Sequence, residues 1–154
     1  MKSYTAKMIA DPVFLDTSLI VAASVNFHPG YPASASYLAK LDDENTPLCI
    51  SPQICREFIS ALTRKPIGGK LFAVAEAVDA LAAWRKISIL LEEDEATIDE
   101  WSRLIADHQV RGKQVHDCNI VATMLAHGVT RLGTRNPTDF GRYDDLVQIE
   151  PVVN

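Results

Sequence analysis

The chain has 154 residues, 47% hydrophobic and 23% charged, the balance of an ordinary globular protein rather than a disordered, collagenous or disulfide-framework chain. No run approaches the roughly 18 uncharged apolar residues that span a membrane, and Met1 to Pro12 lacks the apolar stretch of a secretory signal. A net charge of −5, from 15 basic and 20 acidic residues, argues against a protein that coats nucleic acid non-specifically.

In chain order, Val13-Phe14-Leu15 is a short apolar, β-prone run that ends at Asp16. Thr17-Ser18 can cap a helix through Ala23. Asn26 to Pro32 is a loop with two Pro and one Gly. Ser34 to Leu41 reads as a helix with Tyr37, Leu38 and Leu41 on one face, and Leu48-Cys49-Ile50 as a second strand. Ser51-Pro52 then starts a helix with Ser as N-cap and Pro at N1, running to about Thr63 with Ile54, Phe58, Ile59 and Leu62 inward. Pro66 to Gly69 breaks the chain. Leu71 to Trp84 is expected to be a strongly apolar helix, either core or a dimer face, carrying Phe72, Val74, Ala77, Val78 and Leu81.

Ile87 to Leu91 is a third strand. Six acidic residues fall between Glu92 and Glu100, which suits the first turn of a helix. That helix, Asp94 to His108, presents Ile98, Trp101, Leu104 and Ile105 at amphipathic spacing. After a loop containing Arg111, Gly112 and Lys113, Val115 to His127 forms another helix, with Gly128 placed as a C′ glycine. Val129 to Gly133 and Leu146 to Ile149 are the fourth and fifth strands. Alternating strands and helices imply an α/β sandwich with a mostly parallel sheet of about five strands. The length suits one domain over residues 1–154, with its core from about 13 to 150. Cys49, Cys55 and Cys118 are odd in number and lack zinc-like spacing, so they read as reduced thiols of a cytoplasmic protein.

Open parallel sheets bind ligands beyond the carboxyl ends of their strands. Asp16 follows the first strand directly, Glu57 lies one and a half turns into the helix after the second, Asp117 starts the helix before the fourth, and Asp139 follows the fourth after Thr134 to Thr138. Like charges gathered in one site raise one another's pKa. A hard divalent cation such as Mg²⁺ resolves that conflict with oxygen ligands, and two such ions roughly 4 Å apart suit phosphodiester hydrolysis. Each acid taken singly is equally well a helix cap or a first-turn dipole partner. His116-Asp117 lacks the further His ligands of helical phosphohydrolases, Asp16 has no second Asp two residues on, and there is no Gly-rich phosphate loop. Trp84 and Trp101 lie on apolar helix faces and read as core or interface.

Four segments together resemble the PIN-domain ribonucleases, and most closely the VapC toxins of toxin–antitoxin pairs. They are Phe14-Leu15-Asp16-Thr17-Ser18, Ser51-Pro52 through Arg56-Glu57-Phe58, Val115 through Thr123 around Asp117, and Thr134-Arg135-Asn136-Pro137-Thr138-Asp139-Phe140. The resemblance implies a three-layer α/β/α sandwich and a metal-dependent endoribonuclease, a hydrolase that leaves a 5′-phosphate and a 3′-hydroxyl. It implies that Asp16 and Asp117 are the principal Mg²⁺ or Mn²⁺ ligands and that Glu57 completes the site. Asp139 then holds a second metal or orients the attacking water, with Thr17, Ser18, Thr134 and Asn136 supplying hydrogen bonds. Cys118 stands where the family commonly has Ala and should serve as a small apolar substitute. The implied partners are an RNA substrate, a cognate antitoxin and a second copy in a homodimer. With four carboxylates on metal, the rest of the surface is near neutral, and Arg111, Lys113 and Arg135 flank the acidic motifs as an RNA-steering patch, which Arg64, Lys65 and Lys70 could extend. The alternatives are a PIN-fold nuclease outside toxin–antitoxin systems, or a fold kept for RNA or protein binding without catalysis.

Overall fold

The computed structural model describes residues 10–154. The start of the expected 1–154 domain, and most of the segment read as lacking a signal, lie outside the described residues. Five short strands form one sheet in the order β3-β2-β1-β4-β5, and every neighbouring pair is parallel. The strands are β1 (Val13–Leu15), β2 (Leu48–Ile50), β3 (Ser88–Leu90), β4 (Arg131–Thr134) and β5 (Gln148–Pro151). β1 is central, with Val13 in register with Leu48 on one side and Arg131 on the other. Its three residues are fully buried, as expected of an apolar run covered on both faces of a parallel sheet.

Parallel strands need crossovers, and right-handed crossovers decide the layers. From β1 to β2 to β3 the chain moves one way, through α1 (Thr17–Ser24), α2 (Tyr31–Asp43), α3 (Pro52–Arg64) and α4 (Val74–Ile87). It then reverses through α5 (Glu95–His108) and α6 (Gln114–Ala126) to reach β4. The first four helices pack with one another on one face, and α5 packs on α6 on the other. The expected three-layer sandwich is therefore the observed one. Local chemistry sets the helix ends. Ser51 caps α3 with Pro52 behind it, Asp94 and Thr97 form a capping box on α5, and Gly128 leaves α6 at φ 70°.

Three expectations change. The helix expected over Leu71 to Trp84 begins at Val74 and runs to Ile87. Its apolar residues divide: Ala77 is buried and Phe72, Leu81 and Trp84 pack against the core, while Leu71, Val74 and Val78 are 59%, 68% and 51% exposed. Ile98, expected on the inner face of α5, is 60% exposed, although Leu104 of that face is fully buried. The link from Thr134 to Thr138, read as a short loop before Asp139, instead enters a 3-10 helix, Pro137–Tyr143, anchored by buried Phe140 and Tyr143. Among the described residues no helix is long and apolar enough to cross a membrane.

A polar clamp closes the β4–β5 edge. Arg131 grips Glu150 through Nε and Nη2, at 2.6 and 3.2 Å, and Tyr37 of α2 donates to the same carboxylate at 2.7 Å. Burial alone would raise the Glu150 pKa, but these donors outweigh it and hold the carboxyl below its usual range. The tyrosine ring also lies where a side chain on Gly133 would be, 2.9 Å from an added Cβ, so β4 needs glycine at that point. A carboxyl held low contributes stability above its unfolded pKa and loses it as pH falls through the folded value. Glu150→Gln is expected to cost about 1–3 kcal/mol at pH 7, the scale of hydrogen bonds to a charged group. The deficit should close as the pH falls below about 4, as read by denaturant unfolding at both pH values.

Candidate active site

Asp16 occupies the point where the strand order reverses, between the carboxyl ends of β1 and β4. It is 7% exposed and caps α1. Its Oδ1 accepts from Thr17 N at 2.8 Å, and its Oδ2 accepts from Ser18 Oγ at 3.0 Å and Thr134 Oγ1 at 2.7 Å. Burial pushes its pKa up, and the three donors only partly oppose that. Thr134 is itself held, since its hydroxyl oxygen accepts from Asn136 N at 3.0 Å. Ser18 Oγ likewise accepts from Arg135 N at 3.1 Å. Thr134 and Ser18 thus both donate to Asp16. Asn136 contributes through its backbone rather than its side chain.

Glu57 is tied to Asp16 through Thr17, whose Oγ1 donates to Glu57 Oε2 at 2.6 Å. Its other oxygen accepts from Gln53 Nε2 at 3.0 Å, one helical turn earlier on α3. Asp117 is half-buried in the first turn of α6. Its pKa is pushed up to about 6, first by burial and then by the charges of Asp139, Asp16 and Glu57. Asp139 is exposed in the first turn of the 3-10 helix. The four expected carboxylates therefore feel one another at one edge of the sheet. Cys118 is fully buried, the apolar role expected of it.

The expected basic residues separate. Arg111 and Lys113 are exposed in the turn before α6. Arg135 points elsewhere: its Nη1 donates to Val152 O at 3.0 Å, and its guanidinium lies over Gly30, where an added Cβ would come within 2.2 Å of Cζ. Lys70 pairs with Glu76 at 2.9 Å and sits over the Phe72 ring. Arg64 lines a groove of about 400 Å³ with Thr17, Arg56, Glu57, Ser60 and Ala61, so this groove opens on the carboxylates.

Sequence reasoning missed an amide relay. Gln53 is 6% exposed, and its Nε2 donates both to Glu57 and to His116 O, at 2.9 Å. Asn119 Nδ2 donates to Gln53 Oε1 at 2.7 Å and to Glu93 Oε1 at 2.6 Å. Glu93 in turn accepts from Gln53 N at 3.1 Å. Every partner of the two NH₂ groups is acceptor-only, so each amide has one permitted orientation. The one faint sequence signal is spacing: Gln53 lies four residues before Glu57, and Asn119 two after Asp117.

The donor set can be weighed against a cation. It is all oxygen, and three of its members raise the pKa of the fourth. That chemistry fits a hard divalent ion. Among the described residues, however, no three His, Cys, Asp or Glu side chains are grouped to hold one ion. The residues fit by chemistry rather than as a closed cage. A raised carboxyl pKa opposes folding above that pKa, and the penalty fades as pH falls toward the unfolded value of about 4. Asp117 keeps part of its surface in solvent, so screening holds the penalty to about 1 kcal/mol. Asp117→Asn should therefore melt about 2–4 °C above wild type at pH 7.5 in EDTA, with the gap closing toward pH 4 in calorimetry.

Comparison with known proteins agrees with this geometry. The PIN domain family model matches residues 13–146. No curated protein matches the sequence. Among solved structures, VapBC2 from Rickettsia felis, bound to a DNA fragment of its promoter, is similar at TM-score 0.66 and 19% identity, over 94% of this chain and 98% of that one. VapBC-1 from nontypeable Haemophilus influenzae is similar at TM-score 0.64 and 20% identity, again over 94% and 98%. VapC20 of Mycobacterium tuberculosis, a toxin that cleaves the sarcin-ricin loop, is similar at TM-score 0.58 and 20% identity, over 78% and 86%. These likenesses are in fold; with a family match over nearly the whole sequence, this chain belongs to the PIN-domain family.

Proposed function

We propose that this chain is a Mg²⁺- or Mn²⁺-dependent endoribonuclease and the toxin of a type II toxin–antitoxin pair, working in the cytoplasm. The observation that carries the reading is the coupling of Asp16, Glu57, Asp117 and Asp139 at the carboxyl edge of the sheet. Asp16, Glu57 and Asp117 would hold the ion, and Asp139 would hold a second ion or orient the attacking water. When bound, the ion supplies charge neutralisation and polarises the scissile phosphate. The chain's own residues do the rest. Ser18, Thr134 and the Thr17 amide fix Asp16, and Thr17 and Gln53 fix Glu57. An exposed Asp139 has solvent access for the water that attacks. Arg56 and Arg64 along the groove beside Glu57, with Arg111 and Lys113 before α6, offer cations to the RNA backbone.

The partner reading draws on the neighbours, several of which are toxin–antitoxin complexes. The exposed apolar residues Leu71, Val74 and Val78 give an antitoxin or a second copy surface to cover. The test is cleavage of total cellular RNA at low salt with Mg²⁺, Mn²⁺ or EDTA. Discrete products should appear with either metal and vanish in EDTA. In Asp117→Asn they should fall by more than the roughly 10–100-fold that losing a supporting residue costs. Full activity in a folded Asp117→Asn protein would overturn the reading.

A further inference from the structure

A second cavity, of about 380 Å³, adjoins the carboxylates and differs in character from the Arg-lined groove. Gln53, Arg56, Ile98, Trp101, His116 and Asn119 line it. Two of these residues border the proposed chemistry directly: Gln53 donates to Glu57, and His116 precedes Asp117. The volume lies in the range of small-molecule sites.

Each wall has a property that needs a ligand to make sense of it. Ile98 leaves 60% of its surface exposed, on a helix whose Leu104 is fully buried. Trp101 is half-buried, and its one polar group is already satisfied by Val115 O at 2.9 Å, so the indole offers only apolar and π surface to the cavity. Both N–H groups of Gln53 and both of Asn119 are used in the relay. That leaves Asn119 Oδ1, to which no described residue donates, as an open acceptor. At the rim, the Arg56 side chain is 70% exposed and only loosely tied to Glu93, at 3.8 Å.

An aromatic and aliphatic wall, one open acceptor and one rim cation complement a flat base, an N–H on its edge and a phosphate. We infer that this cavity is a nucleobase subsite for the RNA strand, an inference that rests on the nuclease reading. Every RNA base carries an N–H on its Watson–Crick edge, and base pairing consumes it. The subsite therefore takes an unpaired base, from a single strand or a loop. Because Gln53 and His116 border both the cavity and the carboxylates, that base belongs to a nucleotide next to the scissile phosphate. Gln53 then couples the two, since its amide touches the cavity on one side and Glu57 on the other.

Trp101 is its own reporter. The chain has two tryptophans, and Trp84→Phe leaves Trp101 alone. In EDTA, where cleavage is not needed, the four ribonucleoside 5′-monophosphates should quench Trp101 saturably, and ribose 5-phosphate should not. Ile98→Glu replaces an exposed residue with a good helix former. It should weaken the nucleotide response at least tenfold and raise KM for the cleaved RNA with little change in kcat. Equal quenching by ribose 5-phosphate, or nucleotide affinity within twofold of wild type in Ile98→Glu, would overturn the subsite. So would the absence of any quenching, which would assign the wall to a protein partner. Cleavage without quenching sinks the subsite alone, whereas quenching by bases without metal-dependent cleavage sinks the nuclease reading alone.

Discussion

The hydrogen bond from Thr134 to Asp16 is the constraint on which the rest of this molecule depends. It joins the ends of the two central strands, at 2.7 Å and fully buried. A carboxylate in that position is costly, because burial disfavours its charge. The chain meets the cost with three donors: a hydroxyl from α1, a backbone amide at the start of α1 and the Thr134 hydroxyl at the end of β4. Each donor fixes a piece of structure. The amide starts α1, the Ser18 hydroxyl also receives Arg135 N and so sets the turn after β4, and Thr134 also receives Asn136 N and so sets up the 3-10 helix that carries Asp139. Loss of Asp16 would therefore disturb the placement of another acid as well as remove one.

Four acids at one sheet edge repel, and the fold softens that repulsion by where it puts them. Asp16 caps α1, Asp117 lies in the first turn of α6, and Asp139 lies in the first turn of the 3-10 helix. Helix starts favour negative charge by about 0.3–1 kcal/mol each. That offsets part of the repulsion, while burial and then the other three charges still push the Asp117 pKa up to about 6. Residual strain of this kind is typical of functional sites, where stability is surrendered for chemistry.

What the sequence made legible was local. The apolar run Val13-Phe14-Leu15, the Ser51-Pro52 start, the acidic helix start at Asp94 and Gly128 all announce elements through neighbours within a few residues, and the structure has each of these elements. The four acids were legible because strand ends can be counted. The apolar residues of α4 were not, because helical spacing shows that a face is apolar without showing what covers it; Val74 and Val78 face outward. Ile98 misled for the same reason. Gln53 and Asn119 stayed hidden because all their partners but Glu57 lie 26 to 66 residues away, and a glutamine on a helix carries no mark of a buried role. Arg135 looked like a free cation until the fold brought Val152 and Gly30 beside it.

The four acids differ in how far they can move, and this orders their roles. Asp16 is pinned through both oxygens by groups that are themselves pinned, so it can only be a fixed point. Asp117 and Asp139 each ride on the first turn of a helix and move only as their short side chains rotate. Glu57 has the longest side chain of the four, yet both its oxygens are engaged, one by Thr17 and one by Gln53. Since no three of these groups are gathered on one ion's position, gathering them falls chiefly to Glu57. Thr17 leads back to the fixed Asp16, so its hold is rigid. Gln53 leads instead to Asn119 and Glu93, and it lines the cavity beside Trp101, whereas Thr17 lines the Arg64 groove. The adjustable acid is therefore held by one contact from each of the two hollows that flank it.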